Sequence, residues 1–133
     1  MATPKIIAVD FDGTIVEHKY PLIGKEIPFA IDTLQLLQKK GHRLILWTFR
    51  HGKELQEAID YCKKRGVEFY AVNKNYPEEK FDGSISRKIN ADLYIDDRNL
   101  GGLPGWTEIF YTIHPELADE KKTKKSSGGW KWW

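Results

Sequence analysis

The chain has few of the residues that staple or anchor a protein. A single cysteine, Cys62, among 133 residues excludes an internal disulfide and any zinc site built on cysteines. It falls three residues after Ile59 on a helical pattern, so it reads as a small buried hydrophobe. The four histidines, His18, His42, His51 and His114, are scattered without ligand spacing and propose no metal site. No apolar run approaches the roughly 20 residues that cross a membrane. The opening MATPKIIAVDFDG reaches charge within a few positions and lacks the apolar stretch of a secretory signal. A cytoplasmic protein without a membrane span is therefore expected.

What is present is ordinary for one soluble domain: 41% apolar and 30% charged residues, in a length that can bury a core. The formal charge of +2 hides an asymmetry. Five of the 21 basic residues and none of the 19 acidic ones fall in residues 121–133, so the first 120 carry 16 basic against 19 acidic groups, a net of −3. The division expected is one domain over 1–120 and a basic aromatic tail over 121–133, KKTKKSSGGWKWW, which also holds three of the five tryptophans.

Apolar periodicity outlines the body. Residues 5–10 read as a strand whose continuous Ile6, Ile7, Ala8 and Val9 suit a sheet covered on both faces. Residues 28–40 form a helix, with Ile31, Leu34 and Leu37 on one face, Pro28 in the first turn and Gly41 as the stop. A second strand (43–48), a second helix (53–65, stopped by Gly66) and a third strand (68–72) repeat the unit. Residues 73–87 are polar and read as a loop, followed by a fourth strand at 93–96, a fifth at 107–113 and a short helix from Pro115. The alternation predicts an α/β protein with a doubly wound parallel sheet of about five strands and right-handed crossovers.

Chemistry-bearing residues collect at the predicted strand ends, where such sheets bind ligands. AVDFDGTIV places Asp10 and Asp12 on either side of one phenylalanine. Two acids so close repel, and need either a cation or different protonation states. Thr48 follows the second strand, Asp96 and Asp97 follow the fourth, and Lys88 lies shortly before it.

DFDGT, then a Thr after strand two, a Lys and YIDD, in this order over roughly residues 5–113, resembles the haloacid dehalogenase superfamily. The resemblance implies a Mg²⁺-dependent phosphatase acting through an aspartyl phosphate. Asp10 would be the nucleophile and Asp12 the general acid and base. Thr48 and Lys88 would bind the phosphoryl group, with Lys74 as a rival to Lys88. Mg²⁺ would be held by Asp10, the carbonyl of Asp12, and Asp97 with Asp96, an oxygen-only set suited to a hard cation. Arg50, two residues past Thr48, is placed as a substrate contact by similarity to polynucleotide 3′-phosphatases. Asp12 argues against a dehalogenase, which needs no general acid. A receiver domain would need an acid after strand three, where AVNKN has none.

About fifteen residues between Asp12 and the 28–40 helix, and the short 73–87 loop, leave no room for a cap domain. The site is expected to be open to a phosphorylated substrate of unspecified class unless an oligomeric partner closes it. The alternatives are a nucleic-acid 3′-phosphatase, or a non-catalytic module that binds nucleic acid through lysines and stacking tryptophans of the tail.

Overall fold

Three consecutive apolar residues shut away from water set the architecture. Ile7, Ala8 and Val9 of β1 (Ile6–Val9) are buried on both sides of the chain, which requires a sheet neighbour on each edge and a layer on each face. The computed structural model, which describes residues 3–118, supplies them. β2 (Arg43–Leu46), β3 (Ala71–Val72) and β4 (Leu93–Ile95) complete a four-stranded, all-parallel sheet in the order β3-β2-β1-β4. The chain moves outward from β1 to β3, then returns past β1 to β4, so the direction of winding reverses between β1 and β4.

The register then fixes the site. Val9 pairs with Leu46 on one side and Ile95 on the other, so Asp10, Trp47 and Asp96 leave the sheet along a single edge. The Asp10 N–H still donates to Ile95 O (3.0 Å), and Trp47 N–H to Val9 O (2.8 Å).

Three helices follow from amphipathic spacing: α1 (Ala30–Lys39), α2 (Gly52–Lys64) and α3 (Trp106–Ile113). α1 buries Ala30, Ile31, Leu34 and Leu37, and Glu26 Oε2 accepts the Ile31 N–H (3.2 Å) in its first turn, in place of a side-chain cap. Cys62 is buried on α2 as expected, and burial pushes its thiol up to about 12. Residues 115–118 open one more helical turn.

Two expectations are corrected. Residues 107–113 are not a fifth strand: Trp106, Ile109, Phe110 and Ile113 are the buried positions, the i, i+3, i+4, i+7 signature of α3. Nor do helices cover both faces among the described residues. Side chains of α1, α2 and α3 share one core with Ile7, Val9, Leu44, Leu46 and Ile95. The opposite face, Ala8, Ile45 and Ala71, is closed by Ile89 and its neighbours in the β3–β4 connection, which runs without helix or strand over residues 73–92. The third strand is also shorter than the expected 68–72. The tail over 121–133 lies outside the described residues.

Two polar links tie α3 and its C-terminal side to the sheet. Lys5 N–H donates to His42 Nδ1 (2.9 Å), which leaves His42 Nε2–H to donate to His114 Nε2 (3.0 Å) and His114 Nδ1–H to Glu116 (2.9 Å), so one choice of tautomers satisfies the chain. The indole N–H of buried Trp106 donates to Thr14 O (2.9 Å), fastening α3 to the turn after β1. Trp106→Phe should keep most of the apolar burial but leave that carbonyl unpaired, at a cost of about 1–3 kcal/mol. Urea unfolding would read this, and an unchanged midpoint would remove Trp106 as the anchor.

Candidate active site

The turn after β1 carries the first acids and is held from within. Phe11 O accepts from the N–H groups of Thr14 (3.2 Å), Ile15 (2.9 Å) and Val16 (3.3 Å), and Gly13 N–H donates to Val16 O (2.7 Å). Gly13 sits at φ +83, and a Cβ there would lie 2.3 Å from Asp97 Oδ2. The glycine is needed twice, for the left-handed backbone and for the approach of the β4 acids.

That approach brings three carboxylates together: oxygens of Asp10, Asp96 and Asp97 lie within 4.8 Å of one another. Thr14 binds the cluster. Its Oγ is 3.2 Å from Asp10 Oδ2 and 3.2 Å from Asp97 Oδ1, and it accepts the Asp97 N–H at 3.0 Å. Asp96 Oδ1 accepts the Arg98 N–H (2.9 Å). Burial, with the carboxyl–carboxylate hydrogen bond to Asp97 and the charges of Asp96 and Asp97 adding to it, pushes Asp10 from 3.8 up to about 8. An oxygen-only donor set whose central acid resists ionising without a counter-charge fits a hard divalent cation.

Asp12 points elsewhere. Its Oδ2 accepts from Arg50 Nε (2.7 Å) and its Oδ1 from Arg50 Nη2 (2.7 Å), a bidentate pair with both side chains buried. Arg50 donates further to Pro21 O (3.4 Å), Leu22 O (2.8 Å) and Glu54 O (3.2 Å), and lies 5.0 Å from the Phe11 ring centroid and 5.1 Å from that of Tyr20. The Asp12 hydrogen bond holds the guanidinium well above its ordinary range. Arg50, expected to touch substrate, is instead the ion-pair partner of Asp12. It fastens the excursion over residues 17–26 to the first turn of α2.

A pocket of about 360 Å³ opens over this edge, lined by Asp10, Asp12, His18, Trp47, Thr48, Phe49, Asp96 and Arg98. Thr48 is placed as expected. Its N–H donates to Asn73 Oδ1 (2.9 Å) and its Oγ accepts the Arg50 N–H (3.1 Å), leaving the hydroxyl proton to be donated. Lys88 is not brought to the pocket, contrary to expectation. It belongs to the connection crossing the opposite sheet face, where its exposed ammonium lies 5.0 Å from the Tyr94 ring centroid. Its rival Lys74 donates to Pro77 O (3.4 Å) and lines a second cavity with Lys80 and Arg87. Among the described residues that line the pocket, Arg98, two residues past Asp96, is the one Lys or Arg. Arg98 was not singled out from the sequence, although it directly follows the acids at the strand end, and His18 and Phe49 carried no signal there.

No protein-family model matches the chain, and no curated protein does. A solved structure of a conserved protein from Bacteroides thetaiotaomicron is 60% identical to it, with a TM-score of 0.81 over 86% of this chain and 93% of that one.

The carboxylate cluster generates a signed prediction. Without a cation, folded Asp10 keeps up to about pH 8 a proton that the unfolded chain releases near 3.8, so its contribution to stability falls as pH rises through that window. With EDTA, melting temperature should drop between pH 5 and 8 more in the parent than in Asp10→Asn, and Mg²⁺ should raise it more at pH 8 than at pH 5. Equal Mg²⁺ responses at the two pH values would dissolve the shared-cation geometry.

Proposed function

We propose, from the premise that the chain belongs to one family with the conserved Bacteroides thetaiotaomicron protein, that it is a Mg²⁺-dependent phosphomonoesterase of the haloacid dehalogenase type. The observation that carries this reading is the meeting of Asp10, Asp96 and Asp97 at the winding reversal of a parallel sheet, where Asp10 and Asp96 line one pocket with Thr48.

Asp10 attacks phosphorus through a carboxylate oxygen, the bond to the alcohol oxygen breaks, and an aspartyl phosphate forms. Water then cleaves that anhydride, releasing phosphate and restoring Asp10. Asp10, Asp96, Asp97 and the backbone carbonyl of Asp12 would hold Mg²⁺. Bound there, it supplies positive charge that lets Asp10 ionise and shields the phosphate from it. Thr48 Oγ–H donates to a phosphoryl oxygen. Arg98 takes the part first assigned to Lys88, because its side chain lines the pocket and that of Lys88 does not.

Asp12 as general acid requires a rearrangement. Both its oxygens accept from Arg50, so it must give up at least one of these bonds and take up a proton from solvent before it can protonate a leaving group. The energetic route is exchange: the leaving oxygen arrives as the guanidinium keeps its other acceptors at Leu22, Pro21 and Glu54.

Asp10→Asn should abolish phosphate release from an aryl phosphate with Mg²⁺ while its melting temperature holds or rises, since one of three converging charges is gone. Retained turnover near the parent rate would refute the nucleophile. Arg98→Ala should lower kcat/KM on the order of 10²-fold, against a change within about twofold for Lys88→Ala. The reverse ranking would return the phosphate contact to Lys88.

A further inference from the structure

The pocket has one wall that phosphate chemistry does not require. Phe49 directly follows Thr48, after three β2 residues that are fully buried, yet 58% of its surface is exposed. Its ring is nevertheless held in place. Tyr20 meets it edge-on at 4.7 Å between centroids, and His18 lies almost parallel to it, 8° apart in plane and 6.4 Å between centroids. Tyr20 in turn lies 5.1 Å from the Arg50 guanidinium, which also holds Leu22 O. The aromatic wall is thus built before any ligand arrives, and a ring settling on it orders little that is mobile.

We infer that this mouth selects phosphomonoesters whose alcohol part carries a planar aromatic ring, a nucleobase or a benzene ring, which stacks on Phe49 beside His18 while the phosphate meets Asp10 and Thr48. The inference deepens the phosphatase reading and rests on it. A lone exposed phenylalanine is ordinary on a protein surface. Here two near-parallel rings line the same pocket as the nucleophile. Optimal carbon contacts of about 3.5 Å on each face of a planar guest ask for roughly 7 Å between walls. The 6.4 Å between the Phe49 and His18 centroids is an upper bound on the separation of their planes, so the two rings as they stand do not sandwich a guest, and one settles on the Phe49 face with exposed His18 at its rim. The pocket, at about 360 Å³, also sits at the lower end of small-molecule sites, a size for one ring and a phosphate.

Three substrates with comparably poor leaving groups separate the possibilities: a nucleoside 5′-monophosphate, benzyl phosphate and glycerol phosphate, each assayed with Mg²⁺. In the parent protein, kcat/KM for at least one ring-bearing substrate should exceed that for glycerol phosphate by tenfold or more. Whichever of the two leads identifies the ring as nucleobase or benzene. That ratio should collapse towards unity in Phe49→Leu and persist in Phe49→Trp, with thermal melts confirming that both variants fold. A ratio near unity in the parent, or one that Phe49→Leu leaves unchanged, overturns the aromatic selection and leaves the phosphatase reading standing. Absence of turnover on all three overturns both.

Discussion

Parallel pairing puts like charges where they least wish to be. Because Val9 is in register with Leu46 and Ile95, the acids that follow β1 and β4 must share one edge, and Asp10, Asp96 and Asp97 converge within 4.8 Å. In bulk water such a triad would cost little. At a partly buried edge desolvation, with the hydrogen bond to Asp97 and the repulsion of the two neighbouring acids adding to it, raises Asp10 to about 8. The surrounding structure is organised around tolerating this. Gly13 clears space for Asp97, Thr14 bridges Asp10 and Asp97, and Trp106 holds the Thr14 carbonyl from α3. A fold that gathers carboxylates so tightly, and then braces them, offers an oxygen-only set of ligands that a hard cation could use.

Asp12 meets the opposite fate two residues away. It is 2% exposed and pairs bidentately with an Arg50 that is 1% exposed. Buried pairs of this kind contribute little net stability over apolar replacements, while losing one partner strands a charge, at a cost of about 3–5 kcal/mol. Their value lies in position. Arg50 spends its remaining donors on the carbonyls of Pro21, Leu22 and Glu54, so a single guanidinium fixes the acid, the 17–26 excursion and the entrance to α2.

Much of this was legible in the sequence, for definite reasons. Continuous apolar residues before Asp10 and the acids after Ile95 marked β1 and β4, and strand ends in a parallel sheet share an edge, so Asp10, Thr48, Asp96 and Asp97 could be grouped without coordinates. The stretch IFYTI was misread because aromatic and β-branched residues imitate a strand. The three- and four-residue spacing of Trp106, Ile109, Phe110 and Ile113 was the better signal. Lys88 was misplaced because it lies in a connection without regular structure, where spacing along the chain does not determine which face of the sheet a side chain reaches. The Asp12–Arg50 pair spans 38 residues and rests on a tertiary contact that no local pattern announces. Thr14 was visible as part of DFDGT, but its hold on both Asp10 and Asp97 belongs to the assembled edge.

The two halves of the pocket differ in what holds them, and Arg50 joins the halves. The carboxylate side hangs from buried β1, from the edge strand β4 and from the Trp106-anchored turn. The aromatic side stands on the exposed 17–26 excursion and on Phe49, outside the core. Arg50 bonds the buried acid Asp12 on one side and the backbone of the excursion on the other. A displacement of the excursion would therefore act on the same guanidinium that holds Asp12.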